Sequence, residues 1–182
     1  MEEMSQLMDE AGMHRTLARI AHEIIERNNG CSDVVLAGVR RRGVTLAGIL
    51  ASNIEKFEGY RVPVGTVDIT LYRDDLSEWT GKAETRGCDF PVSITGKTVI
   101  LVDDVIYTGR TARAAMEAVF KSGRPKRLQL AELVDRGHRE LPIKPDYVGK
   151  NIPTSHTEIV KVMVDEFDGI NQVCLVRENR SK

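Results

Sequence analysis

The sequence predicts an α/β fold in which a mostly parallel central sheet is flanked by helices. Three observations carry that reading. Strand-like apolar runs alternate with amphipathic helical stretches, the order that builds parallel sheets. Val99 to Val102 is apolar at every position, as suits a strand buried on both faces. An acidic pair, Asp103-Asp104, follows it directly and leads into a Thr- and Gly-containing helix start. Open α/β sheets hold their ligands at such strand ends.

Residues 9–29 read as the first helix, because Met13, Leu17, Ile20 and Ile24 recur at spacings of 4, 3 and 4, and Gly30 stops it. Val34 to Gly38 is a short apolar strand. A turn of Val39, Arg40, Arg41, Arg42 and Gly43 leads into a second helix, Val44 to Phe57, ended by Gly59. Residues 62–71 are rich in strand formers. Residues 72–90 are charged and aperiodic, the pattern of a lid, a binding loop or a disordered excursion, and are expected to form a lid. After the strand at Val99, Thr111 to Lys121 is a helix stopped by Gly123 and Pro125. Leu128 to Val134 is a further strand, and residues 135–158 are a polar excursion. Val160, Val162 and Val164 alternate as a strand that Val173 to Val176 can pair with. The tail from Arg177 to Lys182 reads as frayed.

Residues 1–182 read as a single domain, with no repeat, low-complexity tract or linker. Lys and Arg number 26 against 27 Asp and Glu, which excludes a uniformly basic coat but leaves room for a local basic patch. At 41% hydrophobic and 29% charged, the composition excludes wholesale disorder. Cys31, Cys88 and Cys174 are odd in number and lie far apart, which argues against a disulfide framework and for a reducing cytoplasm. No apolar run approaches the roughly 18 residues of a membrane span, and the start Met1-Glu2-Glu3 is no signal peptide.

The chemistry is written in the run from Val99 to Thr111. Two adjacent carboxylates, Asp103 and Asp104, are delivered by a buried strand. Val105, Ile106, Tyr107, Thr108, Gly109, Arg110 and Thr111 then open a helix. Free N–H groups and the positive dipole end of a helix N-terminus suit a phosphate. Taken apart, each half is an ordinary solvated acidic pair or an ordinary helix start. Together they fit a ligand with both hydroxyls and a phosphate, as a ribose phosphate has. The three arginines Arg40, Arg41 and Arg42 read alone as a solvated charge run. Beside such a site they can meet a highly charged leaving group.

The run resembles the phosphoribosyl-pyrophosphate (PRPP) motif of the type I phosphoribosyltransferases. The segments Asp68–Asp75, Leu133–Pro142 and Val148–Ser155 look like those of the bifunctional pyrimidine-operon attenuation regulators with uracil phosphoribosyltransferase activity. The likeness runs from about Arg15 to Val164. It implies the type I fold, with a small hood and a flexible loop. It places Asp103 and Asp104 on the ribose hydroxyls, and Thr108, Gly109, Arg110 and Thr111 around the 5′-phosphate. Val105, Ile106 and Tyr107 fall within the same PRPP and UMP site. Val39, Arg40 and Arg41 fall on the pyrophosphate loop, which in the family often holds a non-proline cis peptide. Mg²⁺ is implied as an ion carried by PRPP, with no protein ligand assigned. Purine members carry an Asp where this chain has Tyr107, a poor base at neutral pH, so the departure argues against a purine substrate and for modest turnover.

The resemblance also implies a partner. Arg15, Arg19, His22 and Glu26 are spaced 4, 3 and 4 and share one helix face. A second basic cluster is read through Arg124, Lys126, Arg127, Arg136, Arg139, Lys144 and Lys150. The family binds a leader mRNA hairpin, and Arg19, His22, Arg139, Lys144 and Lys150 fall on positions associated with that surface. Relatives often have Thr at Ala18 and Arg at Lys144, and Lys supplies a point charge where Arg supplies a planar fork. The implied activity is RNA-binding attenuation governed by UMP or UTP, together with conversion of uracil and PRPP to UMP. The alternative is a salvage enzyme without RNA regulation. A homodimer or larger assembly is implied, and no membrane contact.

Overall fold

The computed structural model of the chain describes residues 2–69 and 87–178. Most of the predicted lid, residues 72–86, lies outside the described residues.

Strand β1 (Glu2–Met8) precedes helix α1 (Glu10–Asn28). Asp9 caps the helix by accepting from the Gly12 amide at 2.7 Å. Met13, Leu17, Ile20, Ala21 and Ile24 form its buried stripe. Asn29 ends it with a left-handed φ of 53°, one residue before the predicted stop at Gly30. Strand β2 (Val34–Val39) is buried throughout. Helix α2 (Arg42–Glu58) starts two residues earlier than its apolar pattern suggests, and ends at Gly59. Strands β3 (Val64–Val67), β4 (Cys88–Asp89) and β5 (Thr98–Ile106), helix α3 (Arg110–Ser122) and strand β6 (Arg127–Asp135) follow. The chain closes with β7 (Tyr147–Asn151), β8 (Glu158–Met163), the short helix α4 (Asp165–Asp168) and β9 (Gln172–Glu178).

Six strands form the central sheet in the order β4-β3-β2-β5-β6-β7. All its pairings are parallel except that of β4, which runs antiparallel to β3. The other sheet, β1-β9-β8, is antiparallel and makes the small hood. Alternation along the central strands sorts the core into two halves. Leu36, Ile100 and Val102 pack with Leu17, Ile20, Leu46, Leu50 and Ile54 of α1 and α2. Val35, Val99 and Leu101 pack with Ala112, Ala115 and Val119 of α3. Each large aliphatic side chain buried this way stabilises the fold by about 1.5–3 kcal/mol.

Two predicted boundaries move. Strand β5 runs four residues past Val102, so Asp103 and Asp104 stand inside the strand, where its burial changes from full to partial. The polar excursion 135–158 contains β7, whose parallel pairing to β6 is masked by exposed positions at Lys150 and Asn151. Strand β1 was likewise hidden by its polar residues, and it pairs with β9.

Candidate active site and nucleic-acid face

Close backbone contact brings the arginine turn to the acidic strand. A Cβ on Gly43 would lie 2.3 Å from the Val102 carbonyl oxygen, so only glycine allows α2 to start against β5. That contact sets the start of α2 against Val102 and Asp103, and the charge of Arg42 reaches Asp104. The Arg40–Arg41 peptide is cis. Val39 is buried, and the Arg40 amide donates to the Val67 carbonyl at 3.0 Å. Arg40 also faces Asp68 at 3.6 Å, and Arg41 is exposed. Arg42 turns inward. It makes two hydrogen bonds to Asp168 of α4, and its charge opposes the rise in the Asp104 carboxyl. Sequence reasoning did not single it out from its two neighbours.

Asp103 and Asp104 are partly buried, and the Asp104 amide donates to Asp103 Oδ1 at 2.9 Å. Burial pushes both carboxyls up. Asp103 stands well above the usual carboxylate range, with the charge of Asp104 adding to the effect. A third carboxyl, Glu132, stands opposite Asp103 in the β5–β6 register and is fully buried. It too was missed, although a lone Glu inside an apolar strand is a readable signal.

Beyond Val105 and the buried Ile106, the loop of Tyr107, Thr108 and Gly109 opens α3. Gly109, at the N-cap with φ 92°, has no side chain to cap the helix start. The Arg110 amide lies 3.3 Å from Thr108 Oγ1, and the Arg110 guanidinium pairs with Glu140. Thr111 is exposed in the first turn. The Tyr107 ring is covered by the Arg136 guanidinium at 4.0 Å, with His138 edge-on at 5.9 Å. His138 packs on His156 and bonds the Thr154 carbonyl at 2.6 Å.

The predicted basic residues do not form one patch. Strand β6 separates Arg124, Lys126 and Arg127 from Arg136 and Arg139 by about 30 Å, at roughly 3.3 Å per residue over the nine steps from Arg127 to Arg136. Lys126 pairs with Asp33 at the far end of the sheet. Arg136 is buried, donating to the carbonyls of Ser155 and Glu158. Arg139 is also turned inward, where it donates to the carbonyls of Ile143 and Tyr107 and pairs with Asp135. The second cluster is therefore corrected to separate groups, because a sheet strand runs between its members.

A different basic surface does come together. Arg15 and Arg19 of α1 join Lys150 of β7 along a groove of about 560 Å³ that also takes in Gln6, Asp9 and Thr16. Arg19 pairs with Glu23 and donates to the carbonyls of Val148 and Gly149. Lys150 donates to the Leu7 carbonyl at 3.0 Å. A Cβ on Gly149 would lie 2.3 Å from the Leu133 carbonyl oxygen of β6 and 2.8 Å from Thr16 Cγ2 of α1, so only glycine fits between them. His22 stacks on Phe57 of α2 with ring centroids 3.8 Å apart. Lys144 is exposed on the loop before β7.

Two carboxylates on a parallel strand thus stand before the start of α3, with an arginine turn alongside. The profile of the phosphoribosyl transferase domain matches residues 3–167. A hypoxanthine phosphoribosyltransferase of Trypanosoma cruzi superimposes with a TM-score of 0.72 at 20% identity, covering 96% of this chain and 97% of that one. A hypoxanthine-guanine phosphoribosyltransferase of Bacillus anthracis gives a TM-score of 0.65 at 26% identity, covering 82% and 84%. These likenesses establish the fold. Sequence relatives are nearer. The bifunctional protein PyrR of Thermoanaerobacter sp. (strain X514) is 58% identical, over 96% of this chain and 98% of its own. That of Brevibacillus brevis is 57% identical over 94% and 96%. The chain belongs to the phosphoribosyl transferase family and, within it, to the bifunctional PyrR proteins.

Proposed function

We propose that the chain transfers the phosphoribosyl group of PRPP to uracil, releasing pyrophosphate. With uridine nucleotide bound, it also binds a leader RNA hairpin and attenuates transcription of pyrimidine genes. The observation that carries the enzymatic half is the placement of Asp103 and Asp104 on β5, directly before the uncapped start of α3. The carboxylates take the ribose hydroxyls. Thr108, Gly109, Arg110 and Thr111 take the 5′-phosphate, with the helix dipole behind them. The turn at Val39, Arg40 and Arg41 receives pyrophosphate, and Mg²⁺ arrives bound to PRPP as part of the substrate.

In the reaction the bond from the anomeric carbon to the pyrophosphate oxygen breaks, and a bond to uracil N1 forms. The N1 proton passes to solvent or to the leaving group. The chain contributes position and leaving-group stabilisation, and no proton is assigned to Tyr107. Its packing under Arg136 supports the loop between the acidic pair and the phosphate cradle.

The RNA reading rests on the groove of Arg15, Arg19 and Lys150, extended by His22 stacked on Phe57. Cationic side chains meet phosphates, and a ring pair offers a platform for an unstacked base. Lys144 adds a charge from its exposed loop. Arg139 acts on this surface indirectly, by holding the loop that follows β6. The test is filter binding of a leader transcript with and without UMP, run beside a uracil transfer assay. Transfer without RNA binding leaves the salvage enzyme as the reading.

A further inference from the structure

The loop between β6 and β7 makes a set of contacts that the reaction as described does not use. Arg139, Glu140 and Leu141 all turn to the short loop that opens α3. The Arg139 guanidinium donates to the Tyr107 carbonyl at 2.9 Å. The amides of Glu140 and Leu141 both donate to the Thr108 carbonyl, at 3.0 and 3.2 Å. The Glu140 side chain adds an ion pair. Arg110 Nε donates to its Oε2 at 2.8 Å, and Arg110 Nη2 lies 2.8 Å from the same oxygen. Between these ties Gly109 is buried, and a Cβ there would stand 3.5 Å from Leu141 Cβ and 3.6 Å from Ile143 Cβ.

These contacts set direction as well as place. The peptides from Tyr107 to Arg110 are trans. In a planar trans peptide the carbonyl and the following amide point in opposite directions. Drawing the Tyr107 and Thr108 carbonyls onto the β6–β7 loop therefore aims the Thr108 and Gly109 amides away from it. Amides so exposed at a helix start are what an anion binds. Glu140 stands on the carbonyl side of these peptides, behind the amides, so its carboxylate does not take the place of a phosphate.

We propose that Glu140 is a positioning residue for the 5′-phosphate. By pinning Arg110 to the β6–β7 loop, it holds the Thr108 and Gly109 peptides with their amides turned to the ligand. The proposal rests on the assignment of Thr108 to Thr111 as the phosphate cradle. By charge alone, a carboxylate near that cradle would repel a phosphate, and its removal would tighten binding. Acting through Arg110, its removal loosens the cradle and weakens binding. The two effects have opposite signs, so a measurement tells them apart.

The experiment uses the full chain with UMP and uridine as probes in titration calorimetry. The two differ only in the 5′-phosphate, so the ratio of their dissociation constants reads the cradle and cancels changes elsewhere. Glu140→Gln keeps an oxygen for Arg110 and is expected to hold the wild-type ratio within about twofold. Glu140→Ala is expected to lower the advantage of UMP about three- to fivefold, the size of a lost exposed ion pair. Glu140→Lys sets a like charge against Arg110 and is expected to lower it roughly tenfold. KM for PRPP should rise in step while kcat holds, because the phosphate is gripped alike in ground and transition states. In an Arg110→Ala background, Glu140→Ala should change the ratio no further. Thermal melting of each variant reports whether the fold is retained. An unchanged ratio in folded Glu140→Ala and Glu140→Lys overturns the proposal. Tighter UMP binding in Glu140→Lys also overturns it, since the carboxylate would then act by charge alone. If wild type binds uridine as tightly as UMP, the cradle itself is misassigned. If wild type favours UMP and the Glu140 variants keep that advantage, only the role of Glu140 is lost.

Discussion

Arg42 and Asp168 are joined by two hydrogen bonds, 2.9 and 3.2 Å long, that tie the start of α2 to the turn of α4. The bond also aims Arg42 past the arginine turn toward Asp104. Asp168 Oδ2 accepts in addition from the Val164 amide at 2.9 Å, so one carboxylate fastens the segment leaving β8 to the active-site turn.

Removing that carboxylate is expected to weaken the fold and the site together. Asp168→Asn should lower unfolding free energy by about 1–2 kcal/mol, the range of a charge-assisted hydrogen bond discounted for partial exposure. The bonds from Arg42 and from the Val164 amide hold the Asp168 carboxyl below its ordinary value. Its contribution is therefore full above the unfolded pKa and is lost as pH falls through the lower folded one. Urea unfolding of both proteins across that acid range should show the gap closing. A gap that persists at the acid end would assign the stability to something other than ionised Asp168.

Asp104→Asn separates chemistry from folding. The carboxyl is pushed up by burial, so the folded chain gains little from its charge. Stability is expected to stay within about 1 kcal/mol of wild type, while phosphoribosyl transfer falls by roughly 10²–10³, the size of one lost electrostatic contact in a reacting site. Steady-state assay with uracil and PRPP checks it, and transfer at the wild-type rate would remove the acidic pair from the mechanism.

Much of this arrangement could be read from the residues. The apolar run at Val99 and the pair Asp103-Asp104 give the strand, the site and its polarity, because a buried parallel strand has few acceptable sequences. The stripe Met13, Leu17, Ile20, Ile24 gives α1 for the same reason. Edge strands were less legible. β1 and β7 each present polar residues on an open side, so period and composition both weaken there. Side-chain direction was not legible at all. Arg40, Arg41 and Arg42 are equal in sequence, and only the folded chain, through the bonds to Asp168, makes Arg42 the inward one. Likewise Arg136 and Arg139 read as surface charge, but carbonyls at the ends of β-strands and loops turned both guanidiniums inward.

That inward turn gives Arg139 a structural signature. Arg139→Lys loses the fork that spans the Tyr107 and Ile143 carbonyls and Asp135. The expected result is a loss of about 2–3 kcal/mol of stability, as for a partly buried charge left with fewer partners, and a raised KM for PRPP. Any loss of RNA affinity should track the melting change. An Arg139→Lys protein that melts like wild type yet fails to bind RNA would show that the guanidinium touches RNA directly.

The α1 face makes the opposite prediction. His22→Ala and Phe57→Ala should each weaken leader RNA binding while leaving uracil transfer unchanged, since the stacked rings lie on α1 and α2 away from β5. Loss of one stacked base corresponds to about 1–3 kcal/mol, or roughly five- to 150-fold in affinity. Phe57→Tyr keeps the ring and should bind as wild type. Arg19→Gln also loses the bonds to Val148 and Gly149, so its effect on RNA must be read beside its melting temperature. RNA affinity should fall with salt in proportion to the phosphates contacted, and the slope should be smaller in Arg19→Gln but unaltered in Phe57→Ala. UMP is expected to tighten RNA binding, and linkage requires RNA to tighten UMP by the same factor, about 1.4 kcal/mol for a tenfold effect. Titrations in both directions measure that factor. If His22→Ala and Phe57→Ala both bind RNA as wild type does, the ring pair is only a helix contact and the RNA face lies elsewhere.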